Sequence, residues 1–432
     1  MKEYIQRNLK SVFIRNVLTL FSGTAIAQVI PILISPILSR LYSPADFGTM
    51  ALFVSITGII GIIITGQYEN AIVISKKDDD AVNVAALAGI IAISISVVCL
   101  ILIVFFRHYL CQLLKSEDLI QYMFLIPLSV LLTGIYQILN YWSSRKKQFR
   151  RLAIRQITQS ISSSSVKLGV GLIKPSPGGL IAGNIIGQIS ATSVLCFLTW
   201  RDEKDQIRFV KKRRIKQLAV EFKNFPIFNV PQAFLDSFSA NSTIFIISSF
   251  FSTTILGLYS FATSMVTFPM RILGNSITQV FFQKASEMYS NDQNLWPDIK
   301  KLIIRLALIG LPVFLLILLF APEIFSIVFG SKWHEAGVYA QILTPYLYAT
   351  FIGSPISSIP MILNKQKQFF SISLIGNVGL PLLLFGLIKI FFDLKFSLIC
   401  WSIAGIVFYT VIFLWIRFIS KGQSNNCMIN NG

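Results

Sequence analysis

The chain has 432 residues, of which 54% are hydrophobic and 13% are charged. Soluble domains usually carry about 25% charged residues, so this composition excludes an ordinary soluble protein. The formal net charge of +19 would suggest nucleic acid as a partner of a soluble chain, but the positions of the charges account for it here, and we predict no nucleic-acid partner.

Apolar segments long enough to cross a membrane recur along the sequence. A hydrocarbon layer about 30 Å thick requires roughly 20 apolar residues in a helix, and about twelve such segments take up most of this chain. The predicted fold class is therefore all-α integral membrane. In chain order the predicted spans are 17–38, 47–66, 84–106, 119–139, 152–173, 179–200, 226–250, 255–281, 302–329, 338–361, 371–391 and 396–418.

The distribution of positive charge predicts how these spans are oriented. Most of the 38 lysines and arginines lie in the N-terminal arm and in the segments that follow even-numbered spans. Because cytoplasmic segments carry the excess of Lys and Arg, both termini are predicted to be cytoplasmic. The densest basic run, residues 211–216, is interpreted as an anchor of the largest cytoplasmic loop. The alternative is a patch for lipid headgroups or nucleic acid.

Two parts of the chain repeat each other in the same direction. Gly48 near the start of span 2 corresponds to Gly257 near the start of span 8, and Phe149 after span 4 corresponds to Phe369 after span 10. Two parallel six-helix repeats imply a transporter architecture with substrate bound between them. The predicted division is an N-terminal lobe at 1–200, a basic cytoplasmic loop at 201–224, a C-terminal lobe at 225–421 and a cytoplasmic tail at 422–432.

Polar residues recur in four spans at steps of three or four positions, with one step of seven in span 2, which places each set on one helical face, here called a polar stripe. Such faces either line an aqueous lumen or form contacts between helices. The sets are Ser55, Gly58, Thr65 and Glu69 in and after span 2; Gln156, Ser160, Ser163 and Lys167 in span 5; Asn229, Gln232, Asp236, Ser239 and Thr243 in span 7; and Ser260, Ser264, Thr267, Arg271, Asn275 and Thr278 in span 8.

Charged residues deep in these spans favour the lumen. A charge at the bilayer centre costs about 2.5–3.5 kcal/mol, so Arg271, Lys167 and Asp236 are not expected to face lipid. A buried Arg271–Asp236 pair is the structural alternative. Arg271 and Lys167 would make the lumen cationic and suited to phosphate or pyrophosphate, with Gln156 and Asn275 on the same two faces.

Carboxylates on the stripes are candidates for ion coupling. Glu69 and Asp236 would carry a proton or Na⁺, because partial desolvation raises the pKa of a carboxyl group. The sequence has no phosphate-binding GxxxxGK[ST] loop, so we expect transport to be driven by an ion gradient or by removal of the product.

Several motifs resemble bacterial O-antigen and capsular polysaccharide flippases. These form the polysaccharide transporter family of the multidrug/oligosaccharidyl-lipid/polysaccharide superfamily. The matching segments are 23–28, 36–48, 68–73, 269–274 and 279–287.

The resemblance implies two six-helix lobes around a V-shaped central cavity in the bacterial inner membrane. It implies flipping of an undecaprenyl-pyrophosphate-linked oligosaccharide, a unit of O-antigen or capsule, from the cytoplasmic to the periplasmic leaflet, beside a polysaccharide polymerase machinery. Arg271, Glu69 and Arg40 fall in the family-like motifs, and Arg40 joins the binding candidates on that ground. Lys167 and Asp236 are candidates only because they lie on the polar stripes.

Two other classes of function remain as alternatives. A cation-coupled multidrug exporter of the same superfamily would need an acidic or apolar lumen, whereas this one is predicted to be cationic. The other class is a membrane enzyme. A polysaccharide polymerase would need a long periplasmic loop, whereas the predicted outer loops are short. A glycosyltransferase would need clustered acids at a membrane face, and the only candidate is the run at 78–80, interpreted as a solvated loop. The five cysteines form no CxxC pair. With the two histidines far apart as well, we predict neither a disulfide framework nor a metal site. We also predict no enzyme activity and no cofactor.

Overall fold

The computed structural model describes the backbone of residues 2–290, 293–363 and 365–430. Side-chain surroundings are described for residues 22–420 apart from 207, 269, 271–276, 279, 280, 283, 290–292 and 364. Within the described backbone every regular element is helical. The α-helices are α1 (Lys2–Leu41), α2 (Pro44–Ile63), α3 (Glu69–Ile74), α4 (Asp78–Leu113), α5 (Leu125–Arg145), α6 (Phe149–Ile173), α7 (Pro177–Glu203), α8 (Lys212–Glu221), α9 (Val230–Phe250), α10 (Thr253–Ser290), α11 (Trp296–Phe329), α12 (His334–Gly353), α13 (Ile359–Ile362), α14 (Gln366–Leu374), α15 (Leu380–Phe391) and α16 (Leu394–Asn430).

Each predicted span corresponds to a helix or to a helical run, and the all-α membrane fold class is confirmed. Among the described residues, 8 helices are long and apolar enough to cross a membrane; they lie in α1, α2, α4, α5, α7, α11, the α14–α15 run and α16. The other four predicted spans are α6, α9, α10 and α12. Three of these four carry the predicted polar stripes, which lower their mean hydropathy.

The outer faces of the apolar helices expose large side chains. Phe105 of α4 is 75% exposed, and Leu308 of α11 is 64% exposed. A soluble protein rarely exposes contiguous apolar surface of this extent. These faces are therefore the surfaces that contact lipid.

Contacts within the chain divide it into two compact units, Met1–Gly257 and Leu258–Gly432. In the first unit α6 packs between α1 and α7. A Cβ added to Gly23 of α1 would lie 2.5 Å from the Cβ of Ala153 in α6, and one on Gly187 of α7 would lie 2.8 Å from the Cβ of Ser163. Small residues thus let the three helix backbones approach closely, as is common in membranes. The predicted lobe boundaries stay a prediction.

The segment 201–224 is helical for much of its length, whereas the sequence suggested a loop. It holds the end of α7, a 3₁₀ turn and α8, and Leu218 of α8 is buried against α4. Tyr68 Oη donates to the carbonyl oxygen of Ala219 (2.9 Å), and Arg214 pairs with Asp80 of α4 (2.7 Å). The amphipathic helix α8 is therefore docked on the first unit.

The acidic run 78–80 is the first turn of α4, so its interpretation as a solvated loop was wrong. Asp78 pairs with Arg145 (2.9 Å) and Lys146 (2.6 Å) of the α5 end. Negative charge is stabilising at a helix N-terminus, and these ion pairs give the run a structural role.

The two glycines of the sequence repeat meet inside the first unit. A Cβ on Gly48 of α2 would overlap the carbonyl oxygen of Thr253, and a Cβ on Gly257 would overlap the carbonyl oxygen of Pro44. Gly48 thus faces Thr253, four residues before Gly257, and Gly257 faces Pro44, four residues before Gly48. The starts of α2 and α10 cross with their backbones in contact, which only glycine permits at these two positions.

In the second unit, α11 and α12 form an antiparallel pair. Phe261 of α10 contacts Trp333 at a ring-centroid distance of 4.2 Å and Phe329 at 4.9 Å, and Trp333 is fully buried. Gly337 of α12 lies against the backbone of Pro322 in α11. This aromatic cluster fixes the turn between α11 and α12.

Candidate functional site: a cationic cavity between α1 and α6

The first unit contains a polar cavity of about 330 Å³ between α1 and α6. Its volume lies in the range of ligand pockets, about 300–1,000 Å³. Its lining includes two cations and, among the described residues, no acid. The lining residues are Thr24, Ala27, Gln28, Pro31 and Leu38 of α1, and Arg155, Gln156, Gln159, Ser160, Ser163, Ser164 and Lys167 of α6.

Arg155 lies near one end of the cavity. Its guanidinium Cζ is 4.0 Å from the centroid of the Tyr136 ring in α5, a cation–π contact that holds the plane of the side chain. The residue is 9% exposed, and its Nε has no hydrogen-bond partner among the described residues. A buried donor without a partner is costly, so Nε is a candidate donor to an anionic ligand.

Lys167 lies twelve residues further along α6, which corresponds to roughly 18 Å of helix at 1.5 Å per residue. Its stem packs against α7, where a Cβ on Gly183 would overlap Lys167 Cγ. Tyr42, which is fully buried, donates from its hydroxyl to the Lys167 carbonyl oxygen (2.7 Å). The backbone around Lys167 is thus fixed from two sides.

Amides and hydroxyls fill the cavity wall between the two cations. The Oε1 atoms of Gln28 and Gln156 are buried without a hydrogen-bond partner among the described residues. Ser160 instead donates to the Ala27 carbonyl oxygen (2.6 Å) and ties α6 to α1. Buried polar groups are normally satisfied by protein, water or ligand. The cavity therefore offers polar atoms that a hydroxylated ligand satisfies.

The structure brings together only some of the predicted binding residues. Lys167 and Gln156 line the cavity. Arg40 is exposed at the end of α1 and does not line it. The side chains of Arg271 and Asn275, and with them the Arg271–Asp236 alternative, lie outside the described residues. The binding roles of all these residues stay predictions.

Asp236 is exposed on α9, where Gln232 Nε2 donates to both of its carboxylate oxygens (3.2 and 3.1 Å). Glu69, the other coupling candidate, is the first residue of α3 and is only 3% exposed. The Thr65 hydroxyl donates to Glu69 Oε2. Burial raises the pKa of the Glu69 carboxyl above its ordinary value, and the hydrogen bond from Thr65 opposes that shift.

The raised pKa of Glu69 predicts a pH-dependent stability. Because the pKa is higher in the folded protein than in the unfolded chain, the stability associated with Glu69 is fully present below the ordinary glutamate pKa. That stability is lost as pH rises through the folded pKa. We expect the unfolding temperature of Glu69→Gln, which cannot ionise, to rise relative to that of the wild type as the pH increases above the ordinary glutamate pKa. Thermal unfolding of the purified protein at several pH values measures this gain.

The matched control is Glu221→Gln, which removes an exposed carboxylate from α8. Its unfolding temperature should follow the wild type at every pH. If the unfolding temperatures of Glu69→Gln and the wild type differed by the same amount at every pH, the expectation would be contradicted.

Sequence reasoning missed Arg155 and Gln28. Arg155 lies three residues into predicted span 5 and about 100° around the helix from the stripe that contains Gln156, at 100° per residue. It therefore resembled an interfacial anchor. Gln28 belongs to span 1, which shows no polar stripe of its own. No signal in the sequence marks Arg155, because the Tyr136 ring that it contacts comes from α5 and the contact is visible only in the fold.

A family model described as "Polysaccharide biosynthesis protein" matches residues 37–338, more than half of the sequence. The chain belongs to this family. A relative in Klebsiella pneumoniae, named an uncharacterized membrane protein in the cps region, is 21% identical over 344 residues, 77% of this chain and 67% of that protein. The resemblance to polysaccharide transporters drawn from the sequence motifs is confirmed.

Solved structures of the MOP superfamily share the fold of this family member. An inward-facing multidrug resistance MATE transporter matches with a TM-score of 0.70 at 16% identity, covering 94% of this chain and 95% of the other. A MOP transporter from Pyrococcus furiosus, described as having a binding pocket of reverse polarity that suggests a different function, matches with a TM-score of 0.61 at 14% identity, covering 95% and 96%. Family and fold point to a multi-pass membrane transporter.

Proposed function

We propose that the protein is a flippase that moves a polyprenyl-pyrophosphate-linked oligosaccharide from the cytoplasmic to the periplasmic leaflet of the bacterial inner membrane. The observation that carries this proposal is the cavity with Arg155 and Lys167 at separate levels and amides and hydroxyls between them. Guanidinium and ammonium groups bind phosphate oxygens, and the intervening polar groups suit sugar hydroxyls. The family membership supports a saccharide substrate.

The spacing of the two cations suggests a stepwise path. The charge distribution predicts that the Arg155 end of α6 is cytoplasmic, so an anionic headgroup entering from that side meets Arg155 before Lys167. A separation of roughly 18 Å prevents one pyrophosphate from contacting both cations at once. The headgroup would therefore pass from one to the other while the polyprenyl tail stays in lipid. Both termini are cytoplasmic in this scheme, and a polymerase would use the flipped unit outside.

We propose that the transfer is driven by an ion gradient or by consumption of the flipped lipid. Glu69 is the stronger candidate for a coupling proton, because it is buried and its pKa is raised. Asp236 is exposed and bonded to Gln232, which suits either a lumen site or a structural one.

A cation-coupled multidrug exporter is the second candidate, favoured by the MATE transporters that share the fold. An exporter of cationic drugs needs carboxylates or aromatic surfaces at its site. The described lining of the cavity has two cations and no acid. Charge complementarity therefore favours an anionic substrate.

The deciding experiment compares a strain lacking the gene with its parent. For a flippase we expect loss of surface polysaccharide together with accumulation of the complete lipid-linked unit on the cytoplasmic leaflet. Surface polysaccharide is measured on whole cells, the lipid-linked unit by mass spectrometry of extracted lipids, and its leaflet by lectin accessibility in vesicles of known orientation. Unchanged surface polysaccharide with new sensitivity to cationic drugs would replace this function with the exporter.

A further inference from the structure

The second unit contains a separate cleft between α10 and α11, with a volume of about 490 Å³. Residues on one face of each helix line this α10–α11 cleft. On α10 they are Ile277, Phe281 and Lys284, and on α11 they are Asp298, Lys301, Leu302 and Arg305. The helices run antiparallel, because Lys284 near the end of α10 pairs with Asp298 near the start of α11 (Nζ–Oδ1 2.6 Å).

The cleft keeps an excess of positive charge after that pairing. Asp298 is its one acidic lining residue among those described, and Lys284 neutralises it. Lys301 and Arg305 have no ion pair or hydrogen bond with another described residue. They lie four residues apart on α11, which places them on the same face, one turn from each other. Two cations at this spacing match the oxygens of a phosphate group.

The rest of the wall is apolar. Ile277, Phe281 and Leu302 line the cleft beside the cations, and Phe281 is 7% exposed. Free phosphate gains nothing from these side chains, whereas a hydrocarbon chain gains about 25 cal/mol for each Å² that it covers. The combination of a cationic rim and an apolar floor fits a lipid phosphate.

The position of the cleft on α10 points to the bilayer as the source of the ligand. Ile277, Phe281 and Lys284 lie roughly 100° around α10 from the polar stripe that contains Ser264 and Thr278. The cleft is therefore on a different face from the predicted lumen.

The depth of the α10–α11 cleft in the membrane agrees with the position of a lipid headgroup. Arg417 stacks over the ring of Trp296 (5.8 Å) at the start of α11, an arrangement typical of the membrane interface. Lys301 lies about 7 Å and Arg305 about 13 Å along α11 from Trp296. A phosphate at the interface reaches Lys301 directly and Arg305 by its extended side chain.

We propose that the α10–α11 cleft is a lipid-phosphate site: Lys301 and Arg305 bind the phosphate oxygens, and the hydrocarbon chain lies along Phe281, Ile277 and Leu302. The ligand is either an anionic phospholipid of the bilayer or a polyprenyl phosphate. The site does not depend on the flippase proposal, because none of its lining residues lines the α1–α6 cavity that carries that proposal.

Photo-crosslinking tests the site in the purified full-length protein. Diazirine-labelled phosphatidylglycerol and undecaprenyl phosphate are the probes, with labelled undecaprenol as the phosphate-free comparison. Peptide mapping reads the label on 277–284 and 298–305. We expect Arg305→Ala to lower labelling there at least about tenfold, because a charge-assisted hydrogen bond is lost, and undecaprenol labelling to stay unchanged. The lipid whose labelling falls identifies the source.

The matched control is Lys300→Ala, which removes an exposed cation from the same turn of α11 but outside the cleft. Lys301→Gln is a second variant in the cleft for use if Arg305→Ala does not fold. Equal labelling of Lys300→Ala and the cleft variants by both phosphate lipids would overturn the site. That outcome leaves the flippase proposal standing, because export and accumulated lipid-linked units decide it independently.

Discussion

Replacing Arg155 with alanine is expected to reduce export of the polysaccharide by at least tenfold while the protein remains folded in the membrane. The guanidinium is buried against Tyr136 with Nε unpartnered among the described residues. A hydrogen bond to a charged group contributes about 1.5–3 kcal/mol, which corresponds to about tenfold or more in affinity for an anionic headgroup. Surface polysaccharide in a complemented deletion strain, normalised to membrane protein, measures the effect.

Arg150→Ala provides the matched control for this prediction. Arg150 lies in the first turn of α6, is exposed, and does not line the cavity. Its removal tests the general effect of losing one positive charge at this end of the helix, and export should remain near the wild-type level.

Arg155→Lys separates charge from geometry at the same position. It keeps a positive charge but loses the planar fork and the stacking on Tyr136. Intermediate export is expected from it. Normal export by the alanine variant at normal expression would remove Arg155, and the α1–α6 cavity with it, from the transport path.

The sequence predicted the order of the spans well because hydropathy records which segments lie in lipid. It predicted helix ends less well. Span 2 was expected to reach residue 66, yet α2 ends at Ile63, because Gly66 and Gln67 both adopt positive φ (62° and 61°) and turn the chain. Apolarity does not report such a turn. Nor does it report α3 or α8, whose burial depends on contacts with α4 and α5.

The sequence predicted the α6 side of the candidate site but not the α1 side. Helical spacing placed Lys167 and Gln156 on one face of α6, and both line the cavity. The partner helix was not visible, since α1 contributes Gln28 through a close approach at Gly23 and Ala153. Contacts between segments more than a hundred residues apart leave no local pattern. Arg155 was missed for a different reason: its cation–π partner, Tyr136, lies on a neighbouring helix, α5, and helical periodicity within α6 does not report that contact.

The crossing of α2 and α10 predicts the largest effect on stability. We expect Gly48→Ala to lower the free energy of unfolding by more than about 3 kcal/mol, at or beyond the upper end of overpacking costs. The new methyl group would overlap the backbone carbonyl of Thr253, and a backbone atom cannot rotate aside as a side chain can. Thermal unfolding of the purified protein and its yield from membranes measure the loss.

Gly58→Ala is the control on the same helix, since a Cβ there meets nothing within 4 Å. Alanine is a better helix former than glycine by about 1 kcal/mol, so this variant should be as stable as the wild type or more so. Equal unfolding temperatures for Gly48→Ala and Gly58→Ala would show that α2 and α10 do not cross in backbone contact.

A double-mutant cycle tests whether the two repeat-related glycines act as one contact. Gly257→Ala should cost about as much as Gly48→Ala, because its methyl group would overlap the Pro44 carbonyl in the mirror-related position. Either methyl group forces the same two helices apart. Once they have separated, the second substitution meets open space, so the double variant should lose far less than the sum of the single losses. Additive losses would instead mean that the two glycines stabilise the protein independently, and that they do not share one contact between α2 and α10.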